Sequence, residues 1–319
     1  MNGKTLVFIL LTLSLSLVTA CGGAAPTATI APTATIAPTA TPPPYTPIAV
    51  TDSRGHEVVF TQPPQRIVSL SPAHTEILYA LGLGDLVVGT DSFSDFPPEA
   101  REKPRVGDAF ILNLEALAAL EPDLVYTTFE GPVADVEQLG IKALYLFAAD
   151  DLQGVLDNIV LLGRITGKGE QAEALVESME TRIDAVTGQL TGVEAGPRVY
   201  YEIDPSLYTI GPGSFIGDIL SLLKVQNVAA GAGSPYPQLS EEVIVDEDPE
   251  VIILGDSREY LPTGITVEEV QARPGWGAIT AVEEGRVYPF DDSLVSRPGP
   301  RIAEGIEQLA RLLYPEVFP

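Results

Sequence analysis

Beyond residue 47 the chain alternates short apolar runs with amphipathic stretches, the pattern of strand and helix in turn. Arg66-Ile-Val-Ser-Leu70 is a short, largely β-branched run. Ser71-Pro72 then reads as an N-cap and first helical residue, with the helix ending at Gly82. Farther on, Asn113 caps a predicted helix over 114–120, which breaks at Glu121-Pro122-Asp123 before a predicted strand over 124–127. In the second half, Ser240 caps 241–247, which breaks at Asp248-Pro249-Glu250 before a strand over 251–254. Cap and proline are nine positions apart in both units, and a glutamate, Glu115 or Glu242, lies two past each cap. Upstream, Glu76-Ile-Leu-Tyr-Ala-Leu81 followed by Gly89 echoes Asp218-Ile-Leu-Ser-Leu-Leu223 followed by Gly231. Two loose matches in the same order predict two similar α/β lobes.

Between them, Ala172, Leu175, Met179, Ile183, Val186 and Leu190 recur at steps of three and four, one apolar stripe along a predicted helix. Glycines bracket it on both sides. At 1.5 Å per residue it runs about 35 Å, enough to span two lobes as a stiff connection. A helix flanking a single α/β domain carries the same stripe, so the pattern alone leaves that alternative open. The lobes are expected over 48–167 and 193–319, with the connecting helix over 168–192.

The start of the chain has another character. Lys4 is the only charge in 1–20, and Leu6 to Val18 is apolar apart from Thr12, Ser14 and Ser16. That suits a secretory signal peptide. It ends at Leu17-Val-Thr-Ala-Cys21, which resembles the lipobox of bacterial lipoproteins, so Cys21 is the expected site of diacylglyceryl modification. From 21 to 47 the chain repeats Pro-Thr-Ala-Thr-Ile-Ala and runs on rich in proline and threonine. Such a composition packs no core and predicts an extended tether.

Charge and counts narrow the chemistry. With 18 Lys+Arg against 44 Asp+Glu the net charge is −26, which disfavours nucleic acid and anionic lipid as partners. One cysteine excludes an internal disulfide and a thiolate metal cluster, and two histidines are too few for a multi-histidine metal site. Gly-x-Ser-x-Gly, Walker and His-Glu-x-x-His patterns are absent, so no catalytic residue is assigned.

Ligands of open α/β sheets lie at the carboxyl ends of the strands. The post-strand loops hold five aromatic residues, Phe93, Phe110, Phe129, Tyr208 and Tyr236, which together point to a large, flat or greasy ligand. Arg297, in Ser296-Arg-Pro-Gly-Pro-Arg301, either answers a neighbouring carboxylate or meets a ligand oxygen. His74 lies in the first turn of its helix, where burial explains it as well as ligation does, and His56 falls in a hairpin turn. Glu115 and Glu242 favour the helix dipole, and their equivalence also suits docking onto a two-fold symmetric partner.

Arg66-Ile-Val-Ser-Leu-Ser-Pro-Ala-His-Thr-Glu-Ile-Leu-Tyr-Ala-Leu-Gly82 resembles the opening signature of substrate-binding proteins of cobalamin and iron-siderophore ABC importers. Asn113-Leu-Glu115, Glu121-Pro-Asp-Leu-Val125, Tyr236-Pro-Gln-Leu-Ser-Glu-Glu242 and Ser296-Arg-Pro-Gly-Pro-Arg301 continue the likeness. Ser92-Phe-Ser-Asp-Phe-Pro-Pro98 and Tyr236-Pro-Gln238 are closest to the cobalamin-binding branch. The resemblance implies an α/β protein of two Rossmann-like lobes joined by one long helix, the class III periplasmic-binding-protein arrangement. It implies an extracytoplasmic, lipid-anchored carrier that is no enzyme and has no cofactor. The carrier delivers a corrinoid, or alternatively haem or a ferric siderophore, to an ABC permease dimer with its ATPase subunits. By position, Phe93, Tyr208, Tyr236 and Arg297 fall on ligand contacts, with Phe110 and Phe129 less fixed in register. Glu115 and Glu242 fall on the two glutamates that salt-bridge permease arginines. The cobalamin branch is often tryptophan-rich at the ligand, whereas Trp276, the sole tryptophan, lies outside these motifs. An extracytoplasmic enzyme using His74, or a sensory lobe, are the remoter readings.

Overall fold

The computed structural model describes residues 45–108 and 110–319; the expected signal peptide, Cys21 and nearly all of the tether lie outside the described residues. A hairpin opens the described chain. β1 (Ile48–Thr51) and β2 (Glu57–Phe60) pair antiparallel around a turn that leaves His56 exposed. Asp52 shapes that turn, accepting hydrogen bonds from the Arg54 and His56 amides.

The first lobe runs β3 (Ile67–Leu70), α1 (Pro72–Ala80), β4 (Val87–Thr90), α2 (Leu114–Ala119), β5 (Leu124–Thr127), α3 (Val133–Gln138), β6 (Ala143–Tyr145) and α4 (Leu152–Thr166). Its four strands form one parallel sheet in the order β4-β3-β5-β6. Next comes α5 (Gly169–Gln189), the long helix. The second lobe runs β7 (Arg198–Asp204), β8 (Tyr208–Thr209), α6 (Phe215–Leu222), β9 (Gln226–Asn227), α7 (Glu241–Glu247), β10 (Val251–Leu254), α8 (Val267–Gln271), α9 (Thr280–Glu283), β11 (Val287–Pro289), α10 (Ser293–Ser296) and α11 (Ile302–Leu313). Its sheet has the order β11-β10-β7-β8, with β9 also joined to β7; β8 alone runs antiparallel.

Parallel strands covered on both faces read as continuous apolar runs, and these do. In β10, Val251 and Ile253 enter one core while Ile252 and Leu254 enter another. In β5, Leu124 and Tyr126 face the first core and Val125 the outer core of its own lobe. The first core is shared: it runs from Ile77 and Leu124 of the first lobe, through Met179 and Val186 of α5, to Ile253 and Ile306 of the second. The α5 stripe therefore packs on both α4 and α11, and Arg182 clamps Glu307 of α11 through two hydrogen bonds. Opening the lobes exposes apolar surface at about 25 cal/mol per Å², so large hinge motion is costly.

The sequence repeat has a backbone cause. Asn113 and Ser240 accept from the third helical amides, Ala116 and Val243, as N-caps do. Each helix is followed by a non-glycine residue at a φ of 45°, Glu121 and Asp248, directly before its proline. Left-handed backbone costs such residues about 1–2 kcal/mol. An arginine at the head of each central strand offsets it: Arg66 donates to the Leu120 and Glu121 carbonyls, and Arg198 to that of Asp248. The acid after each proline then holds the strand's start, Asp123 accepting from the Arg66 amide and Glu250 from that of Arg198. Ser71 departs from expectation. It occupies the N-cap position of α1, but its side chain makes no capping bond, leaving Pro72 at the first turn to fix the start.

Candidate functional site

The carboxyl ends of strands from both sheets converge on two adjoining hollows. One, of about 630 Å³, is walled by 92–101 of the first lobe and by 255–261 and 291–301 of the second. The other, of about 530 Å³, is walled by 147–150 after β6 and by loops of the second lobe that include Tyr236. Asp292 and Ser296 line both, so the hollows meet along α10.

Phe93 rides on a rigid turn. Asp91 Oδ1 accepts from the Phe93 and Ser94 amides, and Arg105 Nη1 donates to Thr90 Oγ1 and the Asp91 and Ser94 carbonyls. Thr75 of α1 shares a 2.8 Å hydrogen bond with Ser94 beneath. Burial raises the Asp91 carboxyl above its ordinary range. The Phe93 ring stands 61% exposed in the first hollow.

Arg297 lines the same hollow, and both readings of it meet there. Its Nη1 donates to Asp95 at 2.6 Å and to Glu76 at 3.3 Å, carboxylates of the opposite lobe. Arg301 joins them, gripping Glu76 through two bonds of 2.7 and 2.8 Å while its guanidinium lies 4.1 Å over the Phe96 ring. Burial pushes the Asp95 carboxyl up, but the Arg297 hydrogen bond and charge outweigh it and hold that carboxyl below its ordinary range. The two arginines thus tie the lobes together across the back of the cleft.

The other aromatic residues divide. Tyr236 is half-exposed in the second hollow beside Phe147. Phe110 and Phe129 pair with each other, ring centroids 5.3 Å apart and tilted by 54°. Phe110 is 81% exposed on a turn whose amides bind Asp108, and Phe129 follows β5 with its amide on Thr127 Oγ1. Neither lines the two hollows. Tyr208 sits on β8 beside Gln238, also outside their walls. Phe147, Glu259, Tyr260 and Leu261 are not among the sequence-predicted residues, yet all line the hollows. The same post-strand rule finds them once it is applied to the loops after β6 and β10.

His74 is 2% exposed, its Nε2 3.0 Å from the Tyr126 hydroxyl and its ring 3.9 Å from that of Tyr126. Burial lowers it to about 3, so it is a neutral core group and lines neither hollow. Trp276 is wholly buried in the outer core of the second lobe, 5.9 Å from the Tyr200 ring. Among the described residues no cluster of His, Cys, Asp and Glu could hold a metal ion. Glu115 and Glu242 are exposed in the first turns of α2 and α7 and make no ion pair among the described residues.

The family model described as periplasmic binding protein matches residues 67–294. YvrC, an ABC transporter substrate-binding lipoprotein of Bacillus subtilis, is 33% identical over 282 residues, 85% of this chain and 87% of that one. A cobalamin-binding protein of Halobacterium salinarum is 31% identical over 276 residues, 84% of this chain and 74% of its own. The periplasmic haem-binding protein RhuT from Roseiflexus, solved in apo form, superposes with a TM-score of 0.70 at 25% identity, covering 79% of this chain and 99% of RhuT. The chain belongs to the periplasmic binding protein family, as a substrate-binding protein of the ABC-importer kind.

Proposed function

We propose that this protein captures a corrinoid in the cleft between its lobes and delivers it to the permease dimer of an ABC importer and its ATPase subunits, tethered outside the cytoplasmic membrane by a lipid on Cys21. The observation that carries the reading is the pair of adjoining hollows whose walls come from both lobes, with Phe93, Tyr236, Tyr260 and Phe147 among the residues that line them. A corrin is a broad, slightly puckered disc rimmed with amides; rings grip its faces, and serine and backbone groups of the loops meet its rim. The cobalamin-binding relative supports this ligand. Phe110 and Phe129, paired at 5.3 Å, offer a further apolar contact on the first lobe, and Tyr208 one on the second. The shared core through α5 fits a carrier that closes little on binding. No group of the cleft is assigned a catalytic role; the ligand leaves as it arrived.

Haem or a ferric siderophore is the second reading, favoured by the haem-binding structural neighbour. Absorbance titration of the purified protein with cobalamin, cobinamide, haem and a ferric siderophore separates them, since each chromophore shifts on binding. Corrinoid affinity tighter than about 10 µM, about 7 kcal/mol, is expected. Binding of haem or siderophore alone replaces the ligand, and binding of none removes the proposal.

A further inference from the structure

The two hollows have an uneven charge. Five carboxylates line them, Asp95, Asp150, Glu259, Asp291 and Asp292, against three guanidinium groups. Two of those three are already engaged within the protein: Arg297 on Asp95 and Glu76, and Arg301 on Glu76 with Asp291 at 4.0 Å, so two guanidinium groups answer three carboxylates. Glu76 is 3% exposed, so the pairing is built into the fold and cannot be surrendered to a ligand without leaving a buried charge unpaired. Arg101 is the third. Among the described residues it has no carboxylate partner, and its Nε donates to the Asp95 carbonyl at the rim. Against it stand Asp150, Glu259 and Asp291, with Asp292 drawn toward its neutral form by burial while accepting the Tyr201 hydroxyl. The opening is therefore acidic, and it offers an anion one exposed guanidinium.

We propose that the cleft sorts corrinoids by charge, taking a cationic corrinoid without the nucleotide-loop phosphodiester, such as cobinamide, in preference to cobalamin, and rejecting haem. The inference rests on the corrinoid reading of the site. Cobinamide carries the positive charge of its cobalt centre and neutral amides around the ring. Cobalamin adds a phosphodiester, and haem carries two propionates. Each anionic group entering this opening loses water and gains repulsion from Glu259 and Asp291. A cation on the same ring gains attraction from both.

Titrations with aquocyanocobinamide, cyanocobalamin and haemin at low and high salt test this. Cobinamide is expected to bind about tenfold more tightly than cobalamin in low salt, with the gap narrowing as salt screens the rim. Glu259→Gln, alone and with Asp291→Asn, is expected to close the gap to about threefold or less by weakening cobinamide. Arg101→Gln serves as the counter-test, because it removes the free guanidinium without touching the acidic groups; it is expected to widen the gap by weakening cobalamin about twofold or more. Equal affinities for the two corrinoids in low salt, or an Arg101→Gln change that narrows the gap instead of widening it, overturn the charge inference while the corrinoid function stands. Failure of both corrinoids to bind the wild-type protein instead removes the function on which it rests.

Discussion

The two lobes share a backbone device and bury different polar groups in their cores. In each, an N-capped helix ends at a residue with a φ of 45°, a proline follows, and the next acid holds the amide that begins the central strand. Beneath that likeness the first lobe keeps a neutral pair, His74 on Tyr126. The second keeps charge: Arg273 grips Glu202 with bonds of 2.6 and 2.7 Å, and Asp256 lies close by at 2% exposure with neither carboxylate oxygen partnered. Tyr200 and Trp276 leave their hydroxyl and indole N–H unpartnered in the same outer core. A duplicated scaffold thus fixes where strands begin and helices stop, and leaves each lobe free to choose what it buries.

The difference gives Asp256 and His74 opposite responses to pH. Burial, and then the like charge of Glu202, push Asp256 from 3.8 up to about 7. A carboxyl raised on folding binds its proton more tightly in the native state, so its contribution is whole below pH 3.8 and is lost as pH climbs toward 7. His74 runs the other way. Lowered from 6.5 to about 3, it is protonated more readily in the unfolded chain, so its contribution is whole above pH 6.5 and is lost as pH falls toward 3.

Asp256→Asn is the larger break in this contrast. It removes the ionisation while keeping the shape, and the amide can donate to the Glu202 side of the cluster. At pH 8 the variant is expected to be more stable than wild type by about 2–4 kcal/mol, since each tenfold gain in proton affinity on folding is worth about 1.4 kcal/mol. At pH 5 the gap should narrow to about 1–2 kcal/mol, and below pH 3.8 the two should nearly coincide. Urea unfolding across pH 5 to 8 checks it, and parallel curves across that range would show that Asp256 does not titrate in the fold. Asp256 also anchors the loop that carries Glu259, Tyr260 and Leu261 into the cleft, its carbonyl accepting from the Ile265 amide at 3.0 Å.

His74→Gln sharpens the contrast from the first lobe. The amide oxygen can still accept the Tyr126 hydroxyl, but nothing is left to protonate. Between pH 6.5 and 4 the wild type is expected to lose about 2–3 kcal/mol that the variant does not, less whatever the substitution costs in packing at all pH values. The slope is the readout, and equal slopes in thermal melts at pH 4, 5 and 6.5 count against the assignment.

Much of this architecture is legible in the residues because it rests on local chemistry. The caps at Asn113 and Ser240, the proline stops and the α5 stripe are each a short pattern with one physical meaning. The cleft is less legible. Phe93 and Arg297 are 204 positions apart in the chain and come together through the packing of two sheets, which no local pattern reports. The partners of Arg297 illustrate the limit: an arginine before Pro-Gly-Pro fits a ligand or a carboxylate equally well, and it is the burial of Glu76 on α1 that brings the carboxylate to it. Tyr260 and Leu261 escape notice for a different reason. Their loop begins with Gly255-Asp256 and carries no repeat of the first lobe's motif, so the comparison between halves that exposes Glu242 is silent there.

Glu115 and Glu242 return the comparison to its symmetric side. Each is exposed in the first turn of its helix, which makes its removal a small loss for the fold, about 0.3–1 kcal/mol from the helix dipole. If they dock equivalent surfaces of a permease dimer, Glu115→Ala and Glu242→Ala each remove one end of the contact and should lower ligand uptake by similar factors. An exposed ion pair is worth about 0.2–1 kcal/mol, so each single change is expected to weaken docking by about 1.4- to fivefold, and the double change by the product if the lobes engage independently. Ligand affinity in solution should not move, because neither residue lines the hollows. Uptake by reconstituted transporter, measured beside ligand binding for the three variants, separates docking from capture. A loss confined to one glutamate would mean that the partner does not treat the two lobes alike, and that the repeat has been kept for the caps and strand starts alone.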